Sequence, residues 1–214
     1  MMKIKERLFL LTTYSKELGL DLKKPEDRFK WFLASILFSK RISSDIAKRT
    51  YKQFEMEEIV TPEAIINSGY NKLVEVLDAG GYVRYDFSTA SYLLEMAKKL
   101  KQHYDSLDKL YLQASDGKDL ERKLTEFKGV GPTTVNIFLR ELKSIWKKAN
   151  PSASPLAKKV IAKLGMKGEV LKEPSLESRL VRLNLEFCKR KRCSACPVKE
   201  MCQQVIGQGT HNRI

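Results

Sequence analysis

The sequence predicts an all-α fold, and three observations support this. Apolar residues recur at spacings of three and four over most of the 214-residue chain, which is the period of one face of an α-helix. Capping residues, prolines and glycines separate these stretches, as expected at helix starts and ends. The sequence has no pair of alternating segments joined by a hairpin signal, so it provides no evident strands for a β-sheet.

The N-terminal part begins with a predicted helix that Gly19 can end, because glycine is common just beyond a helix C-terminus. Its apolar stripe consists of Ile4, Leu8, Leu11 and Leu18. Pro25 is suited to the first position of a second helix. Ser43 or Ser44 is predicted to cap a third helix, since a serine hydroxyl can accept a hydrogen bond from a first-turn amide.

The middle of the chain carries clear helix boundaries. The segment 61–63, Thr-Pro-Glu, combines a capping residue, a proline and an acid near the positive end of the helix dipole. Gly69 is expected to end that helix, and Gly80 with Gly81 to end the next. A long helix then runs through Ala90, and two shorter helices precede residue 128.

The segment 181–187 can be read in two ways. It alternates polar and apolar residues as a strand does, but no partner strand is apparent. Helical spacing is kept by Leu176, Leu180, Leu183 and Phe187. We therefore predict a helix there.

Length and charge narrow the class of protein. A chain of 214 residues with 43% hydrophobic residues can form one domain or two small lobes, which excludes complete disorder. It has no run of eighteen apolar residues, and charges interrupt the N-terminal segment 1–7, so we expect a cytoplasmic protein. The net charge of +14 favours nucleic acid or an anionic membrane surface as a partner. A basic surface that is merely solvated is the alternative.

All four cysteines fall in one short segment, 188–202. Cys188, Cys193, Cys196 and Cys202 are separated by four, two and five residues, and a proline follows the third. Such a compact loop can wrap a 4Fe-4S cluster, with one thiolate on each iron. A structural zinc ion is the alternative metal, although zinc modules usually present two short pairs separated by a longer spacer. Two disulfides are a third possibility, which a reducing compartment opposes.

A second informative segment, 120–142, predicts two amphipathic helices joined by a tight turn. The turn contains Gly129, Val130 and Gly131, and glycines expose backbone N–H groups and permit positive φ. Pro132 then starts a helix whose free amides and positive dipole end suit a phosphate. A purely structural turn between core helices is the alternative.

With the hairpin followed by the cysteine loop, the chain resembles the helix-hairpin-helix DNA glycosylases, specifically the iron–sulfur branch typified by endonuclease III. The resemblance spans nearly the whole chain. It implies a two-lobed all-α fold in which residues 22–134 form a six-helix barrel. Residues 1–21 and 135–214 would form the iron–sulfur cluster lobe.

The resemblance also implies a function in base-excision repair. Members of this family flip a damaged or mismatched base out of double-stranded DNA into a cleft between the lobes, and a side chain fills the gap. It implies a monomer that acts in the nucleoid and binds no membrane. A monovalent cation often bridges hairpin carbonyls to the phosphate in this family.

The resemblance assigns DNA-contacting roles to two loops. In the hairpin, the turn residues 128–131 and Thr133 would bind a DNA phosphate. Lys128 would contribute a positive charge to this contact. Segment 39–45 is similar to the wedge loop of the family, with Lys40 beside Arg41, which stands about where members usually carry glutamine. A basic loop between two helices is the alternative for this segment. Tyr82 and Tyr85 are candidates for the base pocket, and half-buried packing is the alternative for both.

Two departures from the family concern the chemistry. Bifunctional members place a lysine where this chain has Thr133, so the resemblance implies hydrolysis by water without efficient strand cleavage. The family also supplies an aspartate after the second hairpin helix, but this chain has no aspartate after Asp119. Spacing places the expected carboxylate near Asn150, and an alternative alignment places it at Ser154.

Three explanations account for the neutral position near Asn150. It can be an engineered replacement of a natural aspartate, or it can mark a protein that binds DNA without cutting it. Alternatively, another carboxylate supplies the charge, with Asp45, Asp86 and Glu141 as candidates. A turn role before Pro151 accounts for Asn150 without any chemistry. A basic RNA-binding module remains a further reading of the whole chain.

Overall fold

The computed structural model describes residues 2–173 and 175–203, and within them every regular element is helical, which confirms the all-α prediction. The helices, in chain order, are α1 (Met2–Phe9), α2 (Tyr14–Glu17), α3 (Pro25–Phe38), α4 (Ser44–Met56), α5 (Pro62–Ala79), α6 (Asp86–His103), α7 (Leu107–Gln113), α8 (Gly117–Thr125), α9 (Pro132–Leu142), α10 (Pro155–Lys163) and α11 (Leu176–Leu183). None of these helices is long and apolar enough to cross a membrane.

Several predicted boundaries are confirmed by their capping contacts. Pro25 is the first residue of α3. The Ser43 hydroxyl accepts from the amide of Ile46 at 3.2 Å and so caps α4. Thr61 caps α5 in the same way. Gly69 interrupts α5 with φ of 70°, a left-handed conformation that favours glycine.

The first helix was predicted to run to Gly19, and this prediction is wrong. Helix α1 ends at Phe9, and a separate short helix, α2, begins at Tyr14. Thr13 favours a new start at α2, because its side-chain oxygen accepts from the amide of Lys16 at 3.5 Å and lies 3.1 Å from the Ser15 hydroxyl. Threonine hydroxyls compete with the helical backbone for such amides.

The ambiguous segment 181–187 is helical, as predicted. Helix α11 continues into a π-helical turn at Asn184–Cys188, which leads directly to the first cysteine. In this turn the amide of Lys189 donates to the carbonyl of Asn184 at 2.8 Å. The helix therefore delivers Cys188 to the start of the cysteine loop.

The chain divides into two compact units. We call Leu18–Pro151 the central unit, and Met1–Glu17 together with Ser152–Ile214 the terminal unit. The predicted division placed the second boundary after residue 134, whereas the observed boundary follows Pro151. Contacts of α9 explain the difference, because Trp31 Nε1 donates to the carbonyl of Phe138 at 3.2 Å and anchors α9 in the central unit.

The terminal unit has its own apolar core. Leu8 from α1, Val160 from α10 and Leu180 from α11 are buried together in it. A polar contact also joins α1 to the segment before α11, since Lys5 forms an ion pair with Glu173 at 2.5 Å. Burial of these apolar side chains is the main stabilising contribution to this unit.

Candidate nucleic-acid interface and cysteine site

The predicted helical hairpin is present in the central unit. Its first helix, α8, buries Leu120 and Leu124, and its second helix, α9, buries Val135 and Phe138. These buried apolar faces anchor both helices of the hairpin in the core of the central unit.

The turn of the hairpin combines open backbone with exposed polar groups. Gly129 has φ of 82°, which is the left-handed backbone conformation that glycine adopts more easily than other residues. Gly131 is the N-cap of α9 and has no side chain that could cap the helix. No N-cap side chain therefore accepts a capping hydrogen bond from the backbone amides of the first turn. Lys128 and Thr133 are exposed, whereas Val130 is buried and anchors the turn.

A tyrosine of α6, Tyr92, brings the two predicted DNA-contacting loops together. The ammonium of Lys40, from the loop after α3, lies 5.4 Å from the centre of its ring. The ammonium of Lys128, from the hairpin, lies 5.7 Å from the same centre. Gly129 packs against the ring so closely that a Cβ there would lie 2.5 Å from Tyr92 Cδ2. Sequence patterns did not indicate Tyr92, because a tyrosine in a helical stripe looks like a core residue.

Each of the two lysines has a different electrostatic environment. Lys128 forms an ion pair with Glu95 at 3.0 Å, and this contact is the main cause of a lowered pKa at Glu95. Lys40 is half-buried, and burial lowers its pKa because the charged form loses hydration. Arg41, next to it, is exposed.

The two tyrosines predicted to form the base pocket lie in different environments. Tyr82 is fully buried and its hydroxyl donates to the carbonyl of Leu37 at 2.9 Å, so it packs in the core. In this structure neither the ring nor the hydroxyl of Tyr82 is exposed, so its role in a base pocket stays a prediction. Tyr85 is only half-buried, and the guanidinium of Arg84 lies 5.5 Å from its ring centre.

Neither position proposed for the missing aspartate carries a negative charge. Asn150 is exposed, and its backbone N–H donates to the carbonyl of Lys148 at 3.0 Å in a tight turn. Ser154 caps α10, and its own amide donates to Oε1 of the buried Glu177 at 2.8 Å. Ser154 therefore has a structural role at the start of this helix.

The three alternative carboxylates lie at separate points of the central unit. Asp45 is exposed and pairs with Lys48 at 3.2 Å. Asp86 is buried and accepts from the amide of Phe87 at 2.7 Å, while Glu141 is half-buried on α9. The carboxyl of Asp78 lies beside Asp86, and its pKa is raised by burial and by that neighbour. The expected catalytic charge is thus not assigned to any one of them.

The four cysteines are all within the described residues and form no disulfide. Cys193 is exposed, whereas Cys188, Cys196 and Cys202 are half-buried against the core of the terminal unit. Burial raises the pKa of Cys188 and of Cys196, so the uncharged thiol is favoured when no cation is near.

The donor chemistry suits a soft metal or an iron–sulfur cluster, because four thiols are available in one loop. Yet in the part of the chain that the structure describes, no group of three or more such donors is placed to hold a metal ion. The thiols therefore fit such a group by type and by number.

Comparison with known proteins gives no further assignment. No family model matches the chain, and a search of curated proteins found no match. The interpretation of the site therefore rests on the residues and contacts described above.

Proposed function

We propose that this protein is a DNA glycosylase of base-excision repair that flips a damaged or mismatched base from duplex DNA and hydrolyses its N-glycosidic bond. The observation that supports this most is the helical hairpin, whose turn presents uncapped amides and Lys128, which shares the Tyr92 ring with Lys40. Helix N-termini with open amides bind phosphate well. The net charge of +14 makes a polyanion the natural ligand.

The proposed chemistry is hydrolysis by water. Breaking the bond between base and sugar develops positive charge on the sugar, and a nearby carboxylate stabilises that charge and orients the water. Thr133 cannot form an imine with the sugar, so this position does not support strand cleavage. The protein would act as a monomer in the nucleoid, with a monovalent cation at the hairpin carbonyls.

A second candidate is a non-catalytic DNA-binding or damage-sensing protein. The observation that favours it is the neutral, exposed Asn150 at the place where the family supplies an aspartate. Such a protein would keep the hairpin and the basic loops, because binding phosphate requires no catalytic carboxylate. Position 150 therefore separates the two candidates.

We expect Asn150→Asp to introduce or greatly increase base release, because it restores a negative charge where the sugar cation develops. The assay uses duplexes with uracil, mismatched thymine, an alkylated purine or an oxidised guanine, each with and without alkali. Nicking that requires alkali is the expected product of hydrolysis without strand cleavage.

A matched control adds the same charge elsewhere in the central unit. Asn71→Asp is suitable, because Asn71 is exposed on α5. Activity in Asn150→Asp and not in Asn71→Asp supports the glycosylase. Activity in the unaltered chain means that another carboxylate acts. If no version releases a base while all bind DNA, the binding protein becomes the better description.

We also propose that the four cysteines hold a 4Fe-4S cluster, with a zinc ion as the alternative. Glycosidic hydrolysis needs no electron transfer, so the cluster would serve to order the basic residues 189–192 for contact with DNA. Metal binding that closes a loop contributes directly to folding stability. Iron, sulfide and zinc content of the purified protein distinguishes the two metals.

We expect Cys196→Ala to lose the brown absorbance, to lower the melting temperature and to weaken DNA binding. The side chain of Cys196 packs against the core of the terminal unit, so loss of the cluster would also loosen that packing. Ser194→Ala, at an exposed position of the same loop, is the matched control and should change none of these. Full DNA affinity in a colourless Cys196→Ala protein would contradict the ordering role.

A further inference from the structure

Lys40 is an ammonium group in an unusual position. It is half-buried against the face of Tyr92, and within the described chain no carboxylate lies within 4.0 Å of it. A partly desolvated cation is costly unless a negative group pairs with it. A tyrosine ring compensates only in part, because a cation–π contact is weaker than a close ion pair that excludes water.

A second ammonium, that of Lys128, contacts the same ring and adds to the local positive charge. Lys128 is compensated by Glu95, whose carboxylate also accepts from the Ser91 hydroxyl at 3.1 Å. Ser91, Tyr92 and Glu95 all belong to α6, so one helix carries the ring and the carboxylate that holds Lys128. The cluster therefore contains two cations and one anion, and the uncompensated cation is Lys40.

We propose that Lys40 and Lys128, both placed on Tyr92, bind the backbone phosphate of DNA together, and that Glu95 competes with this phosphate for Lys128. A phosphodiester provides the negative charge that Lys40 lacks and can replace the Glu95 carboxylate at Lys128. Glu95 thus holds Lys128 in place in the free protein and limits affinity for DNA. The inference rests on the DNA binding in the proposed function, but not on base release.

The first test measures binding of undamaged duplex DNA by the full chain over a series of salt concentrations. Lys40→Gln is expected to weaken binding about tenfold at low salt. It should also reduce the slope of log K against log salt by about one, as loss of one phosphate contact does. Lys40→Arg should retain the slope, because it retains the charge.

Lys98→Gln is the matched control for Lys40. Lys98 is exposed on α6 and lies six residues from Tyr92, which places it on a different face of the helix. The control should change the affinity much less than Lys40→Gln. Equal effects of the two variants would overturn the proposal, since binding would then depend on net charge alone.

The second test concerns Glu95. Glu95→Gln is expected to raise the affinity several-fold, and Glu75→Gln, which removes the same charge from an exposed position of α5, should raise it less. In a Lys128→Gln background the gain from Glu95→Gln should fall to that of Glu75→Gln, because Glu95 is proposed to act through Lys128. A Glu95→Gln gain as large in that background as in the unaltered chain would overturn the competition.

The outcomes separate this proposal from the proposed function. If the unaltered chain binds duplex DNA but Lys40→Gln binds equally well, only the Lys40 proposal fails. If the unaltered chain binds no DNA, both fail. If Asn150→Asp releases no base while Lys40→Gln weakens binding as expected, the phosphate site stands without the glycosylase. Thermal melts of each variant, monitored by circular dichroism, exclude loss of folding as the cause.

Discussion

Arg28→Met is expected to lower the free energy of unfolding by about 3 kcal/mol or more. Arg28 is buried, and its guanidinium donates to the carbonyls of Leu22 and Lys23 at 2.9 and 2.8 Å. The same group pairs with Asp108 at 2.9 Å and so connects the start of α3 to α7. Methionine has a similar length but no donors, so two carbonyls and a carboxylate would lose their partner.

Denaturant unfolding followed by circular dichroism measures this change. Arg122→Met is the control, because Arg122 is exposed on α8 and pairs with Asp119 and Glu126 of its own helical region. Exposed ion pairs of this kind contribute little. A loss of stability no larger than in Arg122→Met would show that the buried contacts of Arg28 are not important to the central unit.

Gly129→Ala is expected to damage both the hairpin and DNA binding. The φ of 82° is strained for alanine, and its Cβ would lie 2.5 Å from Tyr92 Cδ2. Strain and overpacking together should lower the free energy of unfolding by about 2 kcal/mol. If Tyr92 yields, Lys40 and Lys128 move with it, so affinity for duplex DNA should fall at least as much as in Lys40→Gln.

Gly131→Ala is a close control for Gly129→Ala. Gly131 has φ of −99°, and a Cβ there would meet nothing within 4 Å. Alanine at this N-cap costs about 0.5–1 kcal/mol relative to glycine, which is less than the loss expected at Gly129. Melting temperature and DNA affinity of the two variants test the prediction, which fails if both glycines tolerate alanine equally.

The helix boundaries that could be predicted from sequence are those fixed by neighbouring residues. Ser43 and Thr61 cap their helices through amides three residues away, so the signal and its effect lie in the same short segment. The hairpin was predicted for the same reason, since Gly129 and Pro132 determine the local backbone. Leucine spacing wrongly predicted one continuous first helix, because apolar periodicity does not register the Thr13 hydroxyl that caps a new helix.

The parts of the site that sequence did not indicate depend on contacts between distant segments. Tyr92 became a site residue only because the loop of Lys40 and the hairpin turn both reach its ring. Tyr82 was expected in a pocket, but a carbonyl 45 residues away, that of Leu37, satisfies its hydroxyl in the core. Such partners are set by tertiary packing, which local spacing does not encode.

The division of the chain has a consequence for biosynthesis. Lys5 and its partner Glu173 are 168 positions apart, and Leu8 shares its core with α11. At translation rates of about 5–20 residues per second, α1 would wait roughly ten to thirty seconds for these partners. The central unit is continuous in sequence and can fold during that interval. The apolar stripe of α1, in contrast, remains exposed until the C-terminal segment emerges from the ribosome. During this time it can bind chaperones or form non-native contacts.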